Sequence, residues 1–352
     1  MSEDPLTRLS ASPDLYVQKI DLTREAALVM QFDLTAYRAA SFLDDRILIP
    51  TAKGLWTPLG RLIEAAELVR DARPVHFIFH TGHVGSTLVS RLLDETRVVL
   101  SLREPLPLRT LADAEDSLGQ CESLLSHSQF ESLRHTLMQL WARGYDETRA
   151  IVVKATSSSG RIAGSLLDSQ VASRAIYLNV GVEPYLATLL AGKNSSIDLR
   201  GHGPVRIRRL QSRLTASLMP LHALTLGELA ALSWLAETWN QRDAAKMAGE
   251  RLLAVDFDRF LANVENCMDE ILRHFGLSLD PKFLSEIAHS PVLTRYSKAA
   301  EFEYSPQIRA EILNESRQRN RDEIRRGLGW LENLAKAECG VAEILNSAGA
   351  AS

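Results

Sequence analysis

Cysteine is scarce in this chain: 352 residues include three, Cys121, Cys267 and Cys339. They lie far apart, with no CxxC pair and no histidine at ligand spacing, which excludes a disulfide framework and a Cys/His zinc site. No uninterrupted apolar run reaches the roughly 18 residues that a membrane span requires. An excess of one charge is also lacking. Lys and Arg number 40 against 44 Asp and Glu, for a net charge of -4. That balance removes the electrostatic case for wrapping nucleic acid. The amino terminus, MSEDPLTRLSASPD, is polar and acidic and lacks the apolar core of a signal peptide, so a cytoplasmic protein is expected. Internal repeats and low-complexity segments are absent as well.

What is present is a globule's composition, 45% hydrophobic and 24% charged, enough for a sizeable core. Short apolar runs alternate with helical patterns, the signature of an α/β domain. The best strand candidates are 75–79 (VHFIF), 150–153 (AIVV), 174–178 (RAIYL) and 252–257 (LLAVDF), with 97–102 (RVVLSL) as a fifth. Leu133, Leu137, Leu140 and Trp141 repeat at helical spacing, as does a wide stripe from Phe260 to Phe275 that ends at Gly276. A charged surface helix is expected from Pro306 to about Arg326. Residues 1–70 are expected to form a flank packed on a single α/β domain spanning 71–345.

The informative segment is 75–93, VHFIFHTGHVGSTLVSRLL. A strand runs into a turn holding Gly82, His83, Val84 and Gly85, and Ser86 and Thr87 open an amphipathic stretch. Such a strand, glycine turn and helix N-terminus make an anion site, because backbone N–H groups converge there and the helix dipole favours negative charge. The nucleotide triphosphatase pattern GxxxxGK[ST] does not fit. Ser86 stands at its lysine, His80 at its first glycine, and Lys154 rather than a metal-binding Asp follows the strand at 150–153. A transferred group that needs no metal, such as a sulfuryl group, remains compatible.

GHVGSTL resembles the 5′-phosphosulfate loop of the P-loop sulfotransferases. Three further segments are similar to that family and occur in its order. IVVKATSSSGRI looks like its strand ending in lysine, and RAIYLNVGVEPYLATLL like the strand and helix that contact the 3′-phosphate. LLAVDFDRFLANVENCMDEILRHFGLSLDP looks like its late strand, acidic turn and helix ending in F-G-L. The resemblance implies a three-layer P-loop-type α/β domain with a central parallel sheet and helices on both faces. It implies 3′-phosphoadenosine 5′-phosphosulfate as donor, with no metal required, and a hydroxyl acceptor on a small molecule, carbohydrate or peptide.

The same resemblance assigns roles. Gly82, His83, Val84, Gly85, Ser86 and Thr87 would hold the phosphosulfate end, and Thr188 matches the family's serine at the 3′-phosphate. His83 replaces the usual Lys or Arg of the loop, so its charge depends on pH. Val180 stands where the family's 3′-phosphate arginine falls, and the run containing Arg206 and Arg208 is either its replacement or an ordinary basic surface. Glu104, in SLREP, is either the base that takes the acceptor's proton or a plain turn glutamate. Lys154 either steadies the leaving group or makes a structural ion pair. One of Ser157, Ser158 and Ser159 could be a phosphate donor. Trp234, Trp239 and His202 have bland readings, as core and loop. The acceptor pocket is expected in loops at 106–148 and 195–245. Two other readings stay open: a non-catalytic nucleotide-binding sensor or interaction module, and an atypical phosphotransferase.

Overall fold

The computed structural model describes residues 5–192, 194–295, 297 and 303–350. The amino-terminal flank folds into an antiparallel sheet of three strands, β1 (Leu15–Asp21), β2 (Ala26–Gln31) and β3 (Gly54–Pro58), in the order β1-β2-β3. Nothing in the sequence reading anticipated this sheet. Its strands alternate weakly, and β3 is exposed along most of its length.

The main sheet holds β4 (Val75–His80), β5 (Val99–Arg103), β6 (Ala150–Lys154), β7 (Ala175–Asn179) and β8 (Leu252–Asp256). All its pairings are parallel and the order is β5-β6-β4-β7-β8. β4, β5 and β6 are buried at every position, as strands covered on both faces must be. The five strands match the five apolar runs to within a residue or two.

Helices cover both faces: α1 (Ser86–Glu95), α2 (Leu106–Ser117), α3 (His127–Trp141), α4 (Val182–Ala191), α5 (Ser195–Gln211), α6 (Leu226–Ala248), α7 (Phe257–Ala262), α8 (Val264–His274), α9 (Pro306–Arg319) and α10 (Arg321–Ala337). Three expectations are corrected here. The stripe from Phe260 is split at Asn263, whose side chain caps α8 by accepting from Asn266 N. The charged carboxy-terminal helix is likewise two helices, parted at Asn320. The segments read as loops at 106–148 and 195–245 are mostly helix, built from α2, α3, α5 and α6.

The chain crosses from β6 to β7 over β4, so the strand order reverses there. In open α/β sheets a ligand crevice lies at that reversal, beyond the carboxyl ends of the strands. The flank shares a core with one face of the main sheet, since Tyr16, Val29 and Leu62 belong to the same buried cluster as Phe77, Leu100 and Val153. It is also tied to the end of β5. The buried Arg103 guanidinium donates to the carbonyls of Ala40 at 2.7 Å and Arg38 at 3.1 Å, and Leu43 N donates back to Arg103 O.

Candidate functional site

β4 ends in a turn of unusual backbone. Gly82 has φ 103°, His83 φ 55° and Gly85 φ 69°, the left-handed region that glycine enters without penalty. His80 pins the start of this turn. Gly82 N–H donates to its Nδ1 at 3.1 Å, so that nitrogen is unprotonated and Nε2–H donates to Ala155 O at 2.9 Å. Tyr185 of α4 supports it from the other side, donating to Thr81 O at 3.0 Å. The residue that fails the triphosphatase pattern therefore has a structural task of its own.

Gly85 is the N-cap of α1 and supplies no side-chain cap. The capping residues of α3 and α6, Ser126 and Thr225, do bond back to their helices. The first-turn N–H groups of α1 have no intrahelical acceptor, and the buried Thr87 Oγ1 has no partner among the described residues. Val84 is buried in the core beneath the turn, Ser86 and Thr87 are buried at the helix start, and His83 is exposed. Ser157 abuts the turn, with its Oγ 3.7 Å from where a Cβ on Gly82 would lie. Ser158 and Ser159 instead bond to Thr156. These features suit the phosphosulfate end of the donor: an open helix start, an unpartnered hydroxyl and glycines at the tight positions.

At the ends of the next two strands stand the two residues expected to do chemistry. Lys154 ends β6 and Glu104 follows β5, and Lys154 Nζ donates to Glu104 Oε1. Glu104 N also donates to Lys154 O at 2.6 Å, and Glu104 has φ 56°, rare for a side-chain-bearing residue. The Lys154 side chain is 1% exposed and that of Glu104 11%. Arg46 of the flank adds a cation 3.9 Å from Glu104 Oε2. Asp44 holds Arg46 through bonds of 2.7 and 2.6 Å. Burial raises the Asp44 pKa, but the Arg46 bonds and charge, with Arg109, bring it below the ordinary carboxylate value. Sequence reasoning missed Arg46, because nothing in residues 1–70 signals that the flank reaches this edge.

The residues expected at the 3′-phosphate are not brought together. Val180 is buried in the core, and its carbonyl accepts from Trp234 Nε1 at 3.2 Å. Thr188 bonds back to Pro184 O at 2.7 Å. Arg206 and Arg208 are two apart on α5 and so face different ways. Arg206 is buried and its Nε donates to Glu237 Oε1 at 3.0 Å, whereas Arg208 is exposed. Burial opposes the charge of Arg206, but Glu237 outweighs it and the pKa is raised. The two arginines cannot grip one phosphate together from these positions. The fold brings Arg317 of α9 to the first turn of α4, where it pairs with Glu183 at 2.8 and 2.9 Å. Arg309 of α9 stands over the ring of Phe257, which lies on Gly85. Neither arginine could be placed from sequence, because α9 comes long after the turn it reaches.

Trp234 is in the core, and His202 lies on α5 rather than in a loop. No group of three or more metal-ligating side chains gathers among the described residues, and no described helix is long and apolar enough to cross a membrane. A cavity of about 800 Å³ lies away from this chemistry, beside Val99 at the opening of β5.

No protein-family profile and no curated protein matches the sequence. Solved structures do. A sulfotransferase domain from the curacin biosynthetic pathway is 12% identical, with 67% of this chain and 85% of that one covered and a TM-score of 0.40. STF9 from Mycobacterium avium is 14% identical, with 90% and 96% covered and a TM-score of 0.39. Mouse SULT7A1 complexed with PAP is 10% identical, with 80% and 92% covered and a TM-score of 0.39. All three are sulfotransferases. At this level of overlap the functional reading rests on the site's own residues.

Proposed function

We propose that this chain is a sulfotransferase that moves a sulfuryl group from 3′-phosphoadenosine 5′-phosphosulfate to a hydroxyl. The observation that carries the reading is the uncapped start of α1 behind a left-handed glycine turn, with the Glu104–Lys154 pair at the ends of the next two strands. The donor supplies the sulfuryl group and a phosphate leaving group. Backbone N–H groups of Gly85, Ser86 and Thr87 hold its negative end. Glu104 Oε2, the oxygen turned toward Arg46, takes the proton of the acceptor hydroxyl. Lys154 leaves Glu104 as that carboxylate is protonated and turns its charge to the leaving phosphate. Exposed His83 can donate to the bridging oxygen of the donor.

Two features argue against magnesium-nucleotide hydrolysis, the serine at 86 and the lysine at 154. A non-catalytic nucleotide-binding module on the same fold is favoured by one observation, the hydrophobic burial of Val180. Calorimetric titration with the 3′,5′-bisphosphate product (PAP) and with ATP separates the readings. Binding of the bisphosphate alone, followed by transfer from labelled donor to a panel of hydroxyl compounds, is the expected result. A preference for ATP would overturn it in favour of a phosphotransferase. Bisphosphate binding without transfer to any hydroxyl compound would favour the non-catalytic module.

A further inference from the structure

Helices α2 and α5, joined by the Arg209–Asp116 pair, carry matching charged faces. Arg109, Asp113 and Asp116 lie at helical spacing on α2, and His202, Arg206 and Arg209 on α5. At the outer end the charges are matched. Arg209 pairs with Asp116, and Arg161 pairs with Asp113 and, at 3.1 Å, with Asp116.

At the inner end they are not matched. Arg109 begins one helical turn after Glu104 and makes no hydrogen bond or ion pair among the described residues, and its Nε is buried without an acceptor. The Arg206 side chain is 7% exposed, and while its Nε is bound to Glu237 its Nη1 has no acceptor either. His202, one turn before Arg206 on α5, feels both charges. Burial lowers its pKa, Arg206 and Arg109 lower it further, and Asp198 at 3.5 Å opposes them. On the flank side the carboxylate that feels Arg109 is Asp44, already engaged by Arg46. Buried guanidinium nitrogens without acceptors carry a desolvation cost that an incoming anion would remove.

We infer that the inner end of this helix pair is an oxyanion subsite, in which Arg109 and the Arg206 Nη1 hold a negatively charged group of the acceptor. Resting on the sulfuryl-transfer reading, this narrows the acceptor to hydroxyl compounds that also carry a carboxylate or a similar oxyanion. Arg109 here is a binding residue for the acceptor, and the proton-accepting role stays with Glu104.

The test uses 4-hydroxybenzoate and 4-hydroxybenzamide, which match in shape and differ by one charge. Each is titrated calorimetrically into the full chain, with and without saturating PAP, and into Arg109→Gln. The wild type should bind the acid at least about tenfold more tightly than the amide, the worth of one charge-assisted contact. Arg109→Gln should bring the two within about twofold while leaving PAP affinity unchanged, and Arg109→Lys should restore part of the preference. Equal affinities in the wild type, a preference that survives Arg109→Gln, or no detectable acid binding at millimolar concentration overturns the subsite. PAP binding is read separately. A chain that fails to bind PAP refutes the sulfuryl-transfer reading, while the acid–amide comparison without PAP still decides the subsite.

Discussion

Gly85 sits where backbone conformation and packing both forbid a side chain, and the two effects can be measured apart. Its φ of 69° is left-handed, which costs a residue with a Cβ about 1–2 kcal/mol. A Cβ there would lie 2.0 Å from Phe257 Cε2 and 2.1 Å from Cζ. The ring would have to retreat by well over an ångström to reach ordinary contact. Phe257 is 4% exposed, so it has little room, and overpacking of this kind costs about 1–3 kcal/mol. Gly85→Ala should therefore lose about 2–5 kcal/mol in urea denaturation, with the denaturant slope unchanged. Phe257→Ala alone should lose about 3–5 kcal/mol through its cavity. The double variant should be more stable than the sum of the single losses predicts, by about 1–3 kcal/mol, because the overlap is gone and only the strain remains. An additive cycle would refute contact between the ring and Gly85. Gly85→Ala as stable as wild type would refute the conformation itself.

Glu104→Gln should lower turnover by about 10²- to 10⁴-fold while PAP affinity stays near wild type, measured with labelled donor and by calorimetry; unchanged turnover would remove Glu104 from the chemistry. Arg206→Gln strands Glu237, which is 2% exposed, and should cost about 3–5 kcal/mol of stability. Exposed Arg208→Gln should cost under about 0.5 kcal/mol, and equal losses would contradict the assigned faces of α5. His76 on β4 is pushed from 6.5 to about 4, first by burial and then by His274. The folded state thus binds fewer protons than the unfolded chain, so stability falls as pH drops below about 6.5. The loss is complete below about 4, at roughly 3 kcal/mol. Denaturation midpoints that are flat across this window, or that fall equally in His76→Gln, would refute the assignment.

The sequence by itself determined the main sheet, because strands buried on both faces must be continuously apolar, and runs such as VHFIF and AIVV leave no other placement. It also determined the left-handed turn after β4 and the helix start behind it. Glycine is favoured where φ is positive, so a strand, two glycines and a hydroxyl-rich helix start are legible as letters. The antiparallel sheet of the flank was not legible, since its edge strand β3 buries too little to show alternation. Tertiary structure alone decided who meets whom. Glu104 and Lys154 touch because parallel register sets Arg103 opposite Lys154, a pairing that no local pattern encodes. The helical turn of α5 sends Arg206 to Glu237 and Arg208 to solvent, although in the sequence they read as one basic run. Arg46, Arg309 and Phe257 reach the site through long-range packing, which depends on the whole core and not on the residues beside them in the chain.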